Sequence, residues 1–290
     1  MGPREENLEN LKEFWPENAP NISQVSKYVN KYKKEKIVIK CGGKVLIDPD
    51  LFNKFIEAIA VLYKLGITVI VVHGGGPRIK IELAKLNIES QFIKGLRVTD
   101  KQTMVVVEKA LVNFNSGIIE KLKKKECGAG GLNVSQNNIF IVEQESRDLG
   151  FVGRPKKILN EKIQVILDQK QIPVISPMGK DGEGEKYNIN ADTAAAAIAK
   201  SLKSRRLLLM TDVAGVYDKD KNLINEIKPA DAKNLIDKRI VEGGMIPKLL
   251  NSIDAIENGV KGVVIIDGRL LHSILYEIFS DEGSGTLIRQ

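Results

Sequence analysis

The feature that most constrains this chain is a recurrence of short, β-branched-rich runs that lack a polar face. Ile37–Ile39, Ile67–Val72, Ile139–Val142, Pro173–Ser176, Leu207–Met210 and Val263–Ile266 are apolar at consecutive rather than alternate positions. A strand that is apolar throughout has both faces covered, as in a parallel sheet clad by helices. Helix-periodic stretches separate the runs. Leu51–Leu65 carries Leu51, Phe52, Phe55, Ile56, Ile59, Leu62 and Leu65 on one stripe, with Asp48 or Asp50 to cap its start and Gly66 to end it. Asp100–Lys125 reads as a longer helix, Asp192–Lys203 as an alanine-rich one with a capping Asp, and Gly243–Gly259 and Leu270–Phe279 as two more. Strands alternating with helices predict an α/β fold with a mostly parallel sheet.

A chain of 290 residues, 43% hydrophobic, has enough apolar material for a substantial core and sits between one domain and two. Glycine-rich Gly179–Gly184 is the candidate linker, either a hinge or the loop of a β-hairpin, and divides residues 36–180 from 181–290. Residues 1–35 stand apart. Within them Ile22, Val25, Tyr28, Val29 and Tyr32 form one helical stripe, which can pack on its own domain or on a neighbouring subunit.

Several function classes fall away on composition. Cys41 and Cys127 are too few for a disulfide framework, and with only His73 and His272 beside them a structural zinc site is not expected. No G-x-S-x-G turn, P-loop or dinucleotide fingerprint occurs. No apolar run reaches membrane-spanning length, and Met1–Trp15 lacks both a signal core and a transit-peptide character, while Gly2 is followed by Glu6 where a myristoylation signal needs Ser or Thr. A cytoplasmic protein without a membrane partner is the expectation. The net charge of +7 resides largely in lysine clusters such as Lys31–Lys36 and Lys121–Lys125, placed at helix ends where cations complement the dipole. Aromatics are not interleaved with those lysines, which argues against a nucleic-acid partner. A polyanionic nucleotide accounts for part of the excess equally well.

With so few histidines, the chemistry must run on Lys, Arg, Asp, Asn and backbone amides. The candidate residues fall at strand ends, where open α/β sheets hold their ligands. The first strand closes on Lys40-Cys41-Gly42-Gly43, which is either an ordinary turn or a place where amides approach phosphate oxygens beside a lysine charge. The second runs into His73-Gly74-Gly75-Gly76-Pro77, a phosphate cradle at a helix start, with His73 either a packed strand-end residue or a catalyst. In Asn188-Ile189-Asn190-Ala191-Asp192 the carboxylate either caps the alanine helix or joins the phosphate site. Lys248 follows Gly243-Gly244 near a helix start, where a cation opposes the macrodipole and asks for an anionic partner. Thr211-Asp212-Val213-Ala214-Gly215-Val216-Tyr217 follows a buried strand as a candidate nucleotide-facing loop. Glycine-rich strand ends and two lysines together point to phosphoryl transfer by charge stabilisation.

On these residues the chain resembles the amino acid kinase family. The matching motifs, in order, are Lys40-Cys-Gly-Gly, His73-Gly-Gly-Gly-Pro, Gly95-Leu-Arg97-Val-Thr-Asp100, Asn188-Ile-Asn190-Ala-Asp192, Thr211-Asp-Val-Ala-Gly215-Val and Gly243-Gly-Met-Ile-Pro-Lys248, across roughly residues 36–290. Gly95–Asp100 is similar to the branch whose acceptor is the side-chain carboxylate of N-acetyl-L-glutamate. The resemblance implies a three-layer αβα sandwich with an extra N-terminal helix, an amino-acid half over 36–180 and a nucleotide half over 181–290. It implies ATP with Mg²⁺ carried on its phosphates, and no metal ligands from the protein. Lys40 and Lys248 would bracket the transferring phosphoryl group and Asp192 would hold both. Gly43, Gly74 and Gly75 would donate amides to phosphate oxygens. Arg97 and Asn188 would grip the acceptor's carboxylate. Gly42, Gly43, Thr211, Asp212, Gly215 and Tyr217 would serve the nucleotide. The N-terminal helix resembles the extension that interlinks dimers into a hexameric homo-oligomer, and Glu277 and Gly283 match positions that bind the feedback inhibitor L-arginine.

Two segments depart from the family pattern. Cys127–Gln136 is looser than the usual glycine-rich run, and Phe151-Val-Gly153-Arg154-Pro155 lacks an expected acidic residue. The alternatives are a kinase for another amino-acid carboxylate or carbamate, or a non-catalytic arginine sensor on the same fold. An NAD-dependent oxidoreductase is disfavoured for want of its fingerprint.

Overall fold

The computed structural model describes residues 12–290. Helix α1 (Val25–Tyr32) precedes strand β1 (Lys36–Cys41), a 3₁₀ turn over Gly43–Leu46 and helix α2 (Pro49–Lys64). Strand β2 (Thr68–His73) leads into α3 (Gly76–Lys85), a hairpin of β3 (Phe92–Ile93) and β4 (Leu96–Arg97), and the long α4 (Lys101–Lys124). Strands β5 (Ala129–Leu132), β6 (Phe140–Gln144) and β7 (Gly153–Ile158) are followed by α5 (Asn160–Asp168), β8 (Ile172–Ile175), β9 (Met178–Lys180) and β10 (Lys186–Asn188). Then come α6 (Ala191–Ser201), β11 (Arg206–Thr211), the paired β12 (Val216–Tyr217) and β13 (Leu223–Ile224), and β14 (Glu226–Ile227). Helices α7 (Pro229–Asp237) and α8 (Met245–Glu257), strand β15 (Val263–Asp267), α9 (Ser273–Phe279) and β16 (Gly285–Ile288) complete the chain.

The central sheet has eight strands in the order β14-β16-β15-β11-β1-β2-β8-β5, with every neighbouring pair parallel except β15–β16. Side chains alternate across it. In β1, Ile37, Ile39 and Cys41 join one core with α2 and α9, while Val38 joins the other with α6 and α8. Both faces are therefore helix-covered, and the uniformly apolar strands are explained. This is the expected three-layer αβα sandwich.

Five of the six expected strands lie in this sheet. The sixth, Ile139–Val142, forms β6 in a separate four-stranded sheet of order β10-β9-β6-β7, where it pairs antiparallel with β7 around a bulge at Ile141/Val142. Its apolar residues are matched by burial on the second core rather than by a place in the parallel sheet. Gly179–Gly184 falls in the antiparallel β9–β10 hairpin, the simpler of its two readings.

Local chemistry sets the helix ends. Asp48, not Asp50, caps α2 by accepting from the amides of Asp50 (3.0 Å) and Leu51 (3.1 Å). Asp100 caps α4 through the Thr103 amide at 2.7 Å. The stripe of α1 packs on its own chain: Val25, Tyr28 and Tyr32 are buried in the α2/α9 core, with Tyr28 edge-on to Phe279 at 6.4 Å. The preceding strap follows it, Trp15 meeting Phe279 at 5.6 Å and the Tyr276 hydroxyl donating to the Asn18 carbonyl at 3.1 Å. The first eleven residues of the 1–35 extension, Gly2 and Glu6 among them, lie outside the described residues. Among the described residues no helix is long and apolar enough to cross a membrane.

Candidate active site

The alternation of β1 decides where the first lysine goes. Lys40 shares the parity of Val38, so its side chain leaves the sheet on the face covered by α6 and α8. There its Nζ forms an ion pair with Asp192 Oδ1 at 2.9 Å. Lys248, from the first turn of α8, reaches the other oxygen of the same carboxylate at 2.5 Å. All three side chains are at least 85% buried. Burial by itself would raise the Asp192 carboxyl, but the two ammonium groups outweigh it and hold the group well below the usual carboxylate range. Burial, helped by the like charge of Lys40, pulls Lys248 down from the ordinary lysine value against the attraction of Asp192. The cluster thus carries two cations on one anion, a net positive charge in a poorly hydrated place. The anionic partner that a lysine at the start of α8 demands is Asp192.

Asp192 is free for this because it does not cap α6. The cap is Asn190, whose Oδ1 accepts from the amides of Asp192 (3.0 Å) and Thr193 (3.1 Å). Both residues satisfy the local rule for a cap, and the sequence offers no signal to separate them.

A cavity of about 230 Å³ opens beside the cluster, lined by Lys40, Gly42, Gly43, Gly74, Gly75, Arg97 and Asn188 among others. The structure therefore brings together the phosphate-cradle glycines and the acceptor residues expected from sequence. A Cβ at Gly42 would overlap Lys40 Nζ, and one at Gly75 would overlap Leu111, so these positions keep backbone exposed at the cavity wall. Gly43 has φ +62°, and a Cβ there would strike the Asp212 carboxylate. That carboxylate accepts from the Lys44 amide at 2.8 Å, tying the loop after β11 to the turn after β1.

Arg97 stands on the β3–β4 hairpin, whose turn residues Lys94 and Gly95 both have positive φ (+49° and +80°). Its guanidinium donates to the Ser90 hydroxyl and to the Gly76 carbonyl (3.1 Å), and lies over the Phe92 ring at 4.8 Å. Burial lowers its pKa from the ordinary arginine value, and it has no acidic partner among the described residues. A buried guanidinium without a counter-ion, held by neutral groups, suits an incoming carboxylate. Asn188 Nδ2 donates to Thr99 Oγ1 at 3.5 Å, and Thr99 in turn donates to the Arg97 carbonyl at 2.9 Å. Ser90 and Phe92 were not singled out from sequence, since only the hairpin fold puts them against Arg97.

Other expected residues sit elsewhere. Thr211 ends β11 on the face shared with Lys40, registered with Asp267 of β15. Asp267 is bidentate with Arg269, a pair that the sequence reading did not single out. Gly215 is packed against Thr286, and Tyr217 is two-fifths exposed on β12. None of Thr211, Asp212, Gly215 and Tyr217 lines the 230 Å³ cavity. Glu277 lies on α9, where its Oε2 accepts from the Ser284 amide at 3.1 Å beside Gly283 (φ +71°). Burial raises the Glu277 carboxyl, opposed by Arg206 and Lys31. His73 is fully buried on the opposite face of the sheet from Lys40. Nδ1 faces the Gly74 carbonyl at 2.9 Å and Nε2 faces Asn115 Nδ2 at 3.1 Å, so the ring donates through one nitrogen and accepts through the other. Burial pushes it down to about 4, a packed neutral imidazole. Among the described residues no group of three or more His, Cys, Asp and Glu could hold a metal.

The profile of the amino acid kinase family matches residues 35–267. The chain belongs to that family. Among curated amino acid kinases it is 52% identical to the acetylglutamate kinase of Pelagibacter ubique over 287 residues, covering 99% of each chain. It is 43% identical to the acetylglutamate kinase of Brucella anthropi, covering 93% of this chain and 96% of that one. Among solved structures, smu.665 from Streptococcus mutans superposes with TM-score 0.76 at 31% identity, over 88% of this chain and 99% of that one. An N-acetylglutamate synthase from Neisseria gonorrhoeae, complexed with coenzyme A and N-acetyl-glutamate, superposes with TM-score 0.84 at 22% identity. The chain covers 62% of the synthase's length, and at that identity the likeness concerns the fold.

Proposed function

We propose that this chain transfers the γ-phosphoryl group of ATP to the side-chain carboxylate of N-acetyl-L-glutamate, a step of arginine biosynthesis. The observation that carries the reading is the buried Lys40–Asp192–Lys248 cluster beside a cavity that also holds the uncompensated Arg97. The full-length likeness to acetylglutamate kinases supports the choice of acceptor.

The acceptor carboxylate is ionised at neutral pH, so no general base is required. Arg97 and Asn188 hold the α-carboxylate, and the side-chain carboxylate oxygen attacks the γ-phosphorus. The bond from that phosphorus to the β,γ-bridging oxygen breaks, leaving ADP and an acyl phosphate, N-acetyl-L-glutamyl 5-phosphate. Lys40 and Lys248 neutralise the charge that spreads over the equatorial and bridging oxygens, which is where this class of transfer takes its stabilisation. Asp192 keeps the two ammonium groups apart and aimed. Gly42, Gly43 and Gly75 leave amides free for phosphate oxygens, whereas the Gly74 amide expected for that role is already committed to the Cys41 carbonyl at 2.8 Å and shapes the turn instead; Thr211, Asp212, Gly215 and Tyr217 serve the nucleotide. Mg²⁺ on the phosphates would supply further charge neutralisation.

The acceptor half spans 36–180 and the nucleotide half 181–290, and the cavity draws Asn188–Ala191 across that boundary. The reading extends to a cytoplasmic enzyme, in keeping with two free, buried thiols, and to a homohexamer built through the N-terminal extension. It also extends to feedback by L-arginine at Glu277 and Gly283, a half-buried carboxylate suited to a guanidinium. Arginine added to millimolar levels is expected to lower turnover, with Glu277→Gln shifting the curve to higher arginine; flat activity would remove this part.

The direct test is ADP release with ATP, Mg²⁺ and N-acetyl-L-glutamate, beside aspartate, glutamate and carbamate, with hydroxylamine trapping acyl phosphate. Hydroxamate formed only with N-acetyl-L-glutamate is the expected result. Turnover with another acceptor would overturn the substrate assignment and leave the chemistry standing.

A further inference from the structure

A second chain of polar contacts runs alongside the Lys40–Asp192–Lys248 cluster and touches none of its charged atoms. Asn190 Oδ1, beyond capping α6, lies 3.4 Å from the Thr193 hydroxyl. That hydroxyl in turn accepts from Asn251 Nδ2 of α8 at 3.2 Å. The directions are compatible. One hydroxyl proton donates toward Asn190 while a lone pair receives the Asn251 amide, so Thr193 uses both of its capacities. All three residues are partly buried, where an unmade hydrogen bond is not fully replaced by water.

The position of this relay matters more than its strength. Asn190 lines the acceptor cavity. Thr193 follows Asp192 directly. Asn251 lies three residues after Lys248, and so nearly one turn along α8 on the same side. The relay therefore joins the wall of the cavity to the helix that carries Lys248, passing the carboxylate that Lys248 must meet. The two helices are also clasped farther along by the Lys200–Asp254 ion pair, so that beyond the Asp192–Lys248 pair itself α6 and α8 are tied at two points. Only the first lies within a turn of the cluster. Ion pairing alone sets distance but not direction, because an ammonium on four methylenes can meet a carboxylate from many angles. The relay supplies the missing constraint by fixing the rotation and height of α8 against the cap of α6.

We propose that Thr193 and Asn251 are positioning residues, which act through Lys248 by holding α8 in the register that aims its ammonium group. This rests on the phosphoryl-transfer reading above. Asn251→Ala and Thr193→Val are each expected to lower kcat by roughly 2- to 13-fold, the range of one net hydrogen bond. The KM values for ATP and N-acetyl-L-glutamate should change less than about twofold, the pattern of an interaction felt in the transition state. The double variant should fall no further than the worse single one, since both break the same relay. Thr193→Ser, which keeps the hydroxyl, should restore kcat. All rates are taken per folded molecule, with the folded fraction measured by circular dichroism. Multiplicative losses in the double variant, a rise in KM at constant kcat, or failure of Thr193→Ser to recover would overturn the proposal. Absence of hydroxamate from the unaltered chain would instead sink the reading it rests on.

Discussion

Replacing Asp192 by asparagine keeps the side-chain volume and removes one charge from a cluster of three. With an effective dielectric of about 20, a unit pair at the observed 2.9 and 2.5 Å is worth about 6 and 7 kcal/mol before desolvation. Desolvating three ions reclaims most of that, so the net worth of the intact cluster is small. Removing only the anion is different, because two ammonium groups then share a buried space with no counter-charge. The expected loss is about 3–5 kcal/mol of stability at pH 7. It carries a signature in pH. Burial and Lys40 already lower Lys248, and without Asp192 only the weaker attraction of Asp212 opposes them. Between its folded-state pKa and the ordinary value near 10.5, the unfolded chain holds more protons on that lysine. Stability of the variant should therefore recover as pH rises toward 10, while the parent shows less of this trend. Urea unfolding followed by far-ultraviolet circular dichroism at pH 7 and pH 10 measures both. Turnover should fall by about 10²-fold or more, since neither ammonium is then aimed. An Asp192→Asn enzyme with the parent's unfolding midpoint and a kcat within a few-fold would refute the whole account of the cluster.

Gly42 has φ −155°, extended backbone that alanine adopts freely, so Gly42→Ala should cost less than about 1 kcal/mol. Its Cβ would still displace Lys40 Nζ, and kcat should drop by about 10–100-fold while the melting temperature falls by no more than about 4 °C; retained turnover would show that the ammonium has slack. His73 is held down to about 4 in the fold against 6.5 in its absence. The unfolded chain therefore takes up a proton first as pH falls, and about 3 kcal/mol of stability should be lost between pH 6.5 and pH 4. The other imidazole, His272, is also lowered by burial and adds to the slope in the same direction. His73→Asn should flatten the dependence whatever its absolute stability, and an unchanged slope would contradict the burial argument.

Much of this site can be read along the chain. The uniformly apolar strands imply two covered faces, and the glycines after β1 and β2 mark where a ligand approaches. The fate of His73 was only half legible, since the sequence left a packed residue and a catalyst both open. Lys40 and Cys41 are adjacent in a strand and so face opposite layers, and β2 runs in register with β1, pairing Cys41 with His73. Period-two alternation combined with that register, which only the folded sheet supplies, places the histidine away from the lysine. The misplaced β6 shows the limit of the same signal, since an apolar run states that both faces are covered without stating by which sheet.

What the sequence by itself determined is a partial local inventory: six apolar strand runs, the longer helices between them, and which segment ends carry lysine, glycine and asparagine. Tertiary structure alone decided that Lys40, Asp192 and Lys248 meet, because that depends on how α6 and α8 seat on one face of the sheet. It also decided between two equally good caps for α6. Asn190 and Asp192 both satisfy the local rule, and a neutral amide is sufficient to receive the free amides of the first turn. The carboxylate goes instead to the two buried ammonium groups, where a full negative charge is worth far more than a cap.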